Sequence, residues 1–303
     1  MNKEIESTIL ITGAGPTGIT GRALKEYFDG QYQIFSPSSK ELDLTDDLAV
    51  RSFFDTHKID FVIHCATFRS NINKTVHFVD EELESNLRMY FALASQSKKF
   101  QKMVYFGSGA EYDKTREIIN VTEEQFGERI PKNKYGFGKY IMNQHCRNSE
   151  NIYNLRIFGT LNKYERYTKN VVSNLCAKSI LGLPLTLKQD CKFSWVDILD
   201  VCQVIDYILK NDVPHNDWNI ALSKKFCLSE IASIIGKIAG TNATAIFEIK
   251  GMNKEYTCNT RRFNNDIPIP MTDICASLSN IYNHLFSIKD SINKNDIDNR
   301  WNK

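Results

Sequence analysis

The segment TILITGAGPTGITGRAL, residues 8–24, limits the possible folds more than any other stretch of the chain. A run of aliphatic and β-branched residues reads as a strand, and Gly13, Gly15 and Gly18 follow it at once in GxGxxG spacing, with Gly21 three further on and a helical stretch behind. Glycines between a strand and a helix permit a tight turn, let backbone amides approach a pyrophosphate and bring the helix N-terminus to the anion. Gly13, Gly15 and Gly18 are therefore candidate cofactor-binding residues; the bland alternative is a glycine-rich turn with no ligand.

The pattern then repeats. Short apolar runs at TILIT (8–12), YQIFS (32–36), DFVIHCA (60–66), MVYFGS (103–108) and NLRIF (154–158) alternate with helical stretches near 18–29, 46–56, 81–98 and 134–148. Strands without a polar face belong in a parallel sheet covered by helices on both sides. The expected fold is α/β, a doubly wound parallel sheet of Rossmann type over residues 1–160, with a smaller α/β substrate lobe over 161–288. Part of 193–222 is expected to fold back on the first domain. In the second lobe, helices are expected near 168–181, 198–210, 228–239 and 272–286, with short strands at PLTL, DWNIAL and IFEI. The polar tail, 289–303, reads as a frayed helix or disordered chain with Trp301 as a possible anchor.

Composition removes several function classes. The 38 Lys and Arg against 36 Asp and Glu leave a net charge of +2, which offers no global attraction to nucleic acid or an anionic membrane. The eight cysteines include no CxxC pair, so neither a metal site nor a disulfide framework is suggested. The polar start and the short TILI run contain neither a signal peptide nor a membrane span, and the expected location is the cytoplasm.

At the end of the second strand the sequence reads SPSSKELDLTD. An acid at this place bonds the ribose hydroxyls of NAD and repels a ribose phosphate. Ser36 stands there instead, and Ser38, Ser39 and Lys40 offer donors to a phosphate, so NADP is favoured over NAD. Glu41 argues the other way, and a Ser-Pro turn with a solvated lysine is the bland reading.

The fourth strand ends in YFGSGAEY, which puts Ser108 at the carboxyl end of a parallel strand, where such sheets bind ligands. In YGFGKY, Tyr135 and Lys139 lie one turn apart on a helix. Taken alone, that pair is an amphipathic ring and a solvated ammonium. Together with Ser108 and the glycine turn it is a working set for hydride transfer at a carbonyl.

With TGAGPTGITGRAL, LDLTD, HCAT, Asn86 in ESNLRMYFALA, FGSGAEY, YGFGK, LRIFG and FSWVDILDV in this order, the chain resembles the extended short-chain dehydrogenase/reductase family of nucleotide-sugar epimerases, dehydratases and ketoreductases. The resemblance implies Ser108, Tyr135 and Lys139 as catalytic residues. It places Asp43 and Leu44 beside the adenine, Ala66 and Thr67 on the nicotinamide side, and Asn86 in a structural role; a helix cap before Leu48 is the alternative for Asp43. It also implies a homodimer through the helices near 83–98 and 134–148, which carry Tyr90, Phe91, Leu93, Tyr140, Ile141 and Met142.

Departures from the family pattern narrow the chemistry. The acid pair that 4,6-dehydratases carry after the strand hydroxyl is Gly109 and Ala110 here, and the Cys and His of the 3,5-epimerase/reductases fall at Ala110 and Asn170. The arginine usually found before the VD of FSWVDILDV is Cys191 or Lys192, which leaves Arg261 and Arg262 of CNTRRF to grip a diphosphate. Asn170, Lys192, Arg261 and Arg262 are the candidate substrate-side residues. The insertion in the glycine loop, where the family usually has TGxxGxxG, leaves Gly15 and Gly18 both open as its middle glycine. The resulting expectation is NADPH-dependent reduction of a 4-keto nucleotide sugar. The alternatives are a 4-epimerase that retains NAD and a non-catalytic dinucleotide sensor or scaffold.

Overall fold

The computed structural model describes residues 7–16, 18–68 and 78–298. In chain order the first half runs β1 (Thr8–Thr12), α1 (Ile19–Phe28), β2 (Gln33–Phe35), α2 (Asp47–Thr56), β3 (Phe61–His64), α3 (Phe78–Ala94), β4 (Lys102–Ser108), β5 (Ile118–Val121), α4 (Lys134–Arg147) and β6 (Ile152–Ile157). The second half continues β7 (Gly159–Leu161), α5 (Val171–Ile180), β8 (Thr186–Leu187), β9 (Lys192–Phe193), β10 (Trp195–Asp197), α6 (Ile198–Lys210) and β11 (Asp217–Ile220). It ends with β12 (Phe226–Cys227), α7 (Leu228–Ile238), β13 (Ile246–Phe247), β14 (Tyr256–Cys258), α8 (Arg261–Asp266), α9 (Ile274–Ser287) and α10 (Lys294–Asp298).

Six strands form a wholly parallel sheet in the order β11-β6-β4-β3-β1-β2. Its strands are apolar throughout because alternate residues serve two cores. Ile9, Ile11, Ile63 and Val104 pack under α1 and α6, and Leu10, Val62, Met103 and Tyr105 pack under α2, α3 and α4. The fold is thus the doubly wound parallel sheet that the alternation predicts. From β1 the chain passes to β2 on one side and then to β3 on the other, so the crevice of this sheet opens between the carboxyl ends of β1 and β3.

The segment DWNIAL supplies β11, the outermost strand of this sheet beside β6. PLTL and IFEI supply β8 and β13, which pair with each other. A separate core gathers Leu175, Ile231, Ile235, Leu278 and Ile281 from α5, α7 and α9. The tail differs from its polar appearance: it forms a helical turn at Lys289–Ser291 and the helix α10, and Ile292 and Ile297 are 8% and 1% exposed within that second core. Two aliphatic side chains suffice to dock an otherwise polar segment. Trp301 lies outside the described residues.

Candidate active site

The glycine turn is fixed by close approach. Gly13 has φ +73°, and a Cβ there would stand 2.7 Å from the Ala66 amide nitrogen, so the end of β1 lies directly on the end of β3. Thr12 ties the same two ends together, its Oγ1 accepting from the Cys65 and Ala66 amides at 3.2 Å each and lying 2.9 Å from His64 Nδ1. Burial, and then the charge of Lys139, push the His64 imidazole down to about 3, so the HCAT histidine is a neutral structural group.

GxGxxG spacing assigns the close helix contact to Gly18, but the structure shares it with Gly21. Cβ atoms at Gly18 and Gly21 would fall 2.1 and 2.5 Å from the Gly13 carbonyl oxygen, whereas one at Gly15 would meet nothing within 4 Å. Gly18 is the N-cap of α1, the insertion being absorbed before it. No side chain caps α1 and no acid occupies its first turn, whereas α2, α6 and α9 carry Asp46, Asp197 and Asp273 as capping acids. An uncapped helix N-terminus beside a glycine turn fits a dinucleotide pyrophosphate.

Ser36 is half-buried at the end of β2, and Ser38, Ser39 and Lys40 are exposed beyond it. Glu41 Oε2 accepts from the Ser38 amide at 2.7 Å, and that bond holds the carboxyl below its ordinary value. Asp43 folds onto Thr45, accepting from its N–H at 2.8 Å and its hydroxyl at 2.7 Å. The helix cap before Leu48 is Asp46, so Asp43 does not serve that alternative role. Leu44 is buried in the core under α2, 8% exposed.

At the end of β4, Ser108 is 8% exposed and starts a reciprocal cap, its Oγ accepting from Ala110 N–H at 3.2 Å and its own N–H donating to Glu111 Oε1 at 3.0 Å. Glu111 Oε2 in turn accepts from Arg156 Nε at 2.6 Å, with both side chains fully buried. The arginine of LRIFG is thereby explained. It braces the turn that carries Ser108.

Helix α4 starts at Asn133, whose Oδ1 accepts from Gly136 N–H at 2.7 Å. A Cβ at Gly136 would lie 2.5 Å from the Ala110 carbonyl oxygen, so the first turn of α4, carrying Tyr135, sits on the Ser108 turn. Lys139 Nζ donates to the Phe106 carbonyl at 2.6 Å, and its charge is felt at His64 and Cys65 at the end of β3. Tyr135 is 40% exposed. Asn86 holds Phe68 beyond β3 through both backbone groups, at 2.9 Å each. Its role is structural, beyond the carboxyl end of β3.

One side chain that sequence reasoning missed joins this group. Tyr256, on β14, places its Oη 3.5 Å from Ser108 Oγ and lies close enough to Tyr135 to raise its own ionisation further. No motif marks it; only the pairing of β14 with β5 and β9 brings it there.

The four substrate-side candidates are less convergent. Asn170 is the N-cap residue of α5 without a side-chain cap bond, Lys192 is half-buried on β9, and Arg261 is exposed at the start of α8. Arg262 is otherwise engaged: its Nη1 donates to Asp217 Oδ1 at 3.0 Å and its Nη2 to Glu124 Oε1 at 2.9 Å. Asp217 starts β11, three rows of the sheet before the row that contains Ser108. The Arg262 guanidinium closes a carboxylate network with Asp217 and Glu124, where the expectation from CNTRRF has it gripping a diphosphate. Among the described residues no group of acids, histidines and cysteines has the geometry of a metal site.

Comparison with known proteins gives a consistent picture. The model of the NAD dependent epimerase/dehydratase family matches residues 9–221. A GDP-L-colitose synthase of Yersinia pseudotuberculosis is 24% identical over 281 residues, covering 83% of this chain and 89% of that protein. Among solved structures, a GDP-mannoheptose C4 reductase from Campylobacter jejuni with NADP bound is similar over 93% of this chain and 99% of its own at 18% identity, with a TM-score of 0.78. A GDP-L-fucose synthetase from Naegleria fowleri, also bound to NADP, covers 97% of each chain at 16% identity and a TM-score of 0.79. At such identities the two structures establish a shared fold.

Proposed function

The chain belongs to the NAD dependent epimerase/dehydratase family and is an enzyme of the extended short-chain dehydrogenase/reductase kind, and on that footing we propose that it reduces the 4-keto group of a nucleotide-linked sugar with NADPH. The observation that carries this reading is the seating of the Tyr135 turn of α4 on the Ser108 turn, with the Lys139 ammonium anchored at the Phe106 carbonyl. A strand hydroxyl, an accessible phenol and a fixed cation then border one crevice. The names of similar proteins, a sugar-nucleotide synthase and a C4 reductase, support the substrate class. The NADP bound to two similar structures and the serine at position 36 support the cofactor.

In this reading Gly13, Gly15 and the α1 N-terminus hold the pyrophosphate, Leu44 and Asp43 border the adenine, and Ala66 and Thr67 line the nicotinamide. NADPH when bound supplies the hydride. Ser108 donates a hydrogen bond to the substrate carbonyl, and Tyr135 delivers the proton to the oxygen as it becomes an alkoxide. A phenol of ordinary pKa about 10 needs a neighbouring cation to exchange that proton near neutrality, which is the part of Lys139. Gly109 and Ala110 carry no acid or base, so chemistry at the neighbouring carbons by the dehydratase route is excluded from the proposal. Asn170, Lys192 and Arg261 remain the proposed substrate-side contacts, and the enzyme is proposed to work as a homodimer. No helix among the described residues is long and apolar enough to cross a membrane.

Glu41 favours a second reading. A carboxylate held beside the Ser38 amide can accept from ribose hydroxyls, as an NAD-retaining 4-epimerase requires. The deciding experiment follows NADPH absorbance with a panel of nucleoside-diphosphate 4-keto sugars. Net oxidation of NADPH supports the reductase. Stoichiometric NAD carried through purification, with no net NADPH consumption, overturns it in favour of the epimerase.

A further inference from the structure

We propose that Tyr256 is a positioning residue of this site, its hydroxyl donating to Ser108 Oγ and so turning the Ser108 proton toward the substrate carbonyl. The inference rests on the reductase reading and assigns a residue from outside the first half of the chain to it.

The argument is one of hydrogen-bond accounting. A serine hydroxyl has one proton and two accepting lone pairs. One lone pair of Ser108 takes the Ala110 N–H at 3.2 Å, and the Tyr256 hydroxyl stands 3.5 Å away. Tyr256 is 6% exposed, and among the described residues Ser108 Oγ is its hydrogen-bond partner. Either hydroxyl can donate across this contact, but once a substrate carbonyl takes the Ser108 proton only donation by Tyr256 satisfies its buried phenol, an unmade bond there costing about 1–3 kcal/mol. With substrate in place Tyr256 therefore donates. Both lone pairs of Ser108 are then filled, and its own proton is left for a third group. The 3.5 Å separation is long for two hydroxyls, as such contacts commonly are before a substrate closes on them.

The surroundings are built for this phenol. Strand β14 is paired on both sides, and the ring packs against Phe158 at 4.8 Å and Phe193 at 5.8 Å with the Lys114 ammonium 4.1 Å over its face. A Cβ at Gly109 would stand 2.6 Å from Tyr256 Oη and 2.5 Å from Phe158 Cε1. The missing side chain at position 109 thus leaves the space that the Tyr256 hydroxyl occupies. Desolvation also holds Tyr256 protonated far above neutrality, so it donates at every working pH and cannot exchange protons as the exposed Tyr135 does.

The test is a double-mutant cycle in turnover of a 4-keto nucleotide sugar. Tyr256→Phe should lower kcat by about tenfold, the worth of one hydrogen bond, with NADPH affinity and the pH profile unchanged. In a Ser108→Ala background the same change should have no further effect, since the two residues act through one bond. Unchanged kcat, or effects that multiply independently, overturns the role of Tyr256 while leaving the reductase intact. If Tyr256→Phe does not fold, Gly109→Ala, which displaces the phenol, should reproduce the loss and its disappearance with Ser108→Ala; a Gly109→Ala enzyme at full rate overturns the proposal. A folded parent that binds NADPH and reduces no member of the panel overturns the reductase reading and this inference together.

Discussion

Arg156 Nε lies 2.6 Å from Glu111 Oε2, and neither side chain has any exposure to solvent. The other edge of the same guanidinium meets Asp217, whose carboxyl is held at about 2 by Arg156 and Arg147 against the opposing effect of burial. Removing one partner of a buried pair leaves charge uncompensated, so Arg156→Met should cost about 3–5 kcal/mol in urea unfolding. Because Glu111 also accepts the Ser108 amide, activity should fall further than the folded fraction does. A loss under about 1 kcal/mol would show that the network is not what braces the turn.

A second buried acid gives a dependence on pH. Burial raises Glu165 from its ordinary 4.5 to about 8, against weak help from Thr160 and Ser173. Between those values the folded chain holds a proton that the unfolded chain has released, so this group weakens the fold as pH rises, by up to about 1.4 kcal/mol per unit, and levels off above 8. Glu165→Gln should match the parent near pH 4 and exceed it in stability at pH 8. Equal unfolding midpoints at both pH values would refute the buried-acid account.

For the central pair, Tyr135→Phe should keep the fold and NADPH affinity and lower turnover by about 10²–10⁴, the usual worth of a positioned acid. Lys139→Met should reduce rate and cofactor affinity together, because in the proposed reaction its ammonium would serve both the phenol and the cofactor. A Tyr135→Phe enzyme with parental turnover would return Tyr135 to the status of an ordinary half-exposed ring.

Cofactor choice should respond to two neighbouring residues. NADPH should bind more tightly than NADH, and Ser36→Asp should reverse the order by placing a charge against the ribose phosphate. Glu41→Gln should strengthen the NADPH preference, since it removes the carboxylate at the Ser38 amide. Titration of both nucleotides by fluorescence decides it; a parent preferring NADH tenfold, about 1.4 kcal/mol, contradicts the reading of SPSSK.

The proposed homodimer would rest on a narrower surface than the sequence suggests. Tyr90, Leu93 and Met142 are buried in the chain's own core, at 0%, 0% and 2% exposure, which leaves Phe91 at 37% as the exposed apolar side chain among the described ones of α3. Sedimentation at micromolar concentration should show a dimer that Phe91→Asp weakens. A monomeric parent would refute the interface.

Much of the candidate site's frame was legible because its signals are local. The strand at Thr8–Thr12, the glycine turn, Ser108 at a strand end and Tyr135 with Lys139 on one helix each announce themselves within about a dozen residues through periodicity, turn chemistry and spacing. Errors arose where a residue's meaning depends on distant partners. Arg262 reads as an available cation in CNTRRF, yet Asp217 and Glu124 claim it from 45 and 138 positions away. The tail reads as polar, yet Ile297 finds a core.

The sequence by itself determined the doubly wound sheet, the turn for a dinucleotide and the hydroxyl, phenol and ammonium of the site, because backbone preference and apolar periodicity act between near neighbours. Only the tertiary structure decided what surrounds them. Ser108 and Tyr256 are 148 residues apart and meet because β14 pairs with β5 and β9. Burial then separates two phenols of the same chemistry, Tyr135 being 40% exposed and Tyr256 desolvated and held protonated well above neutrality.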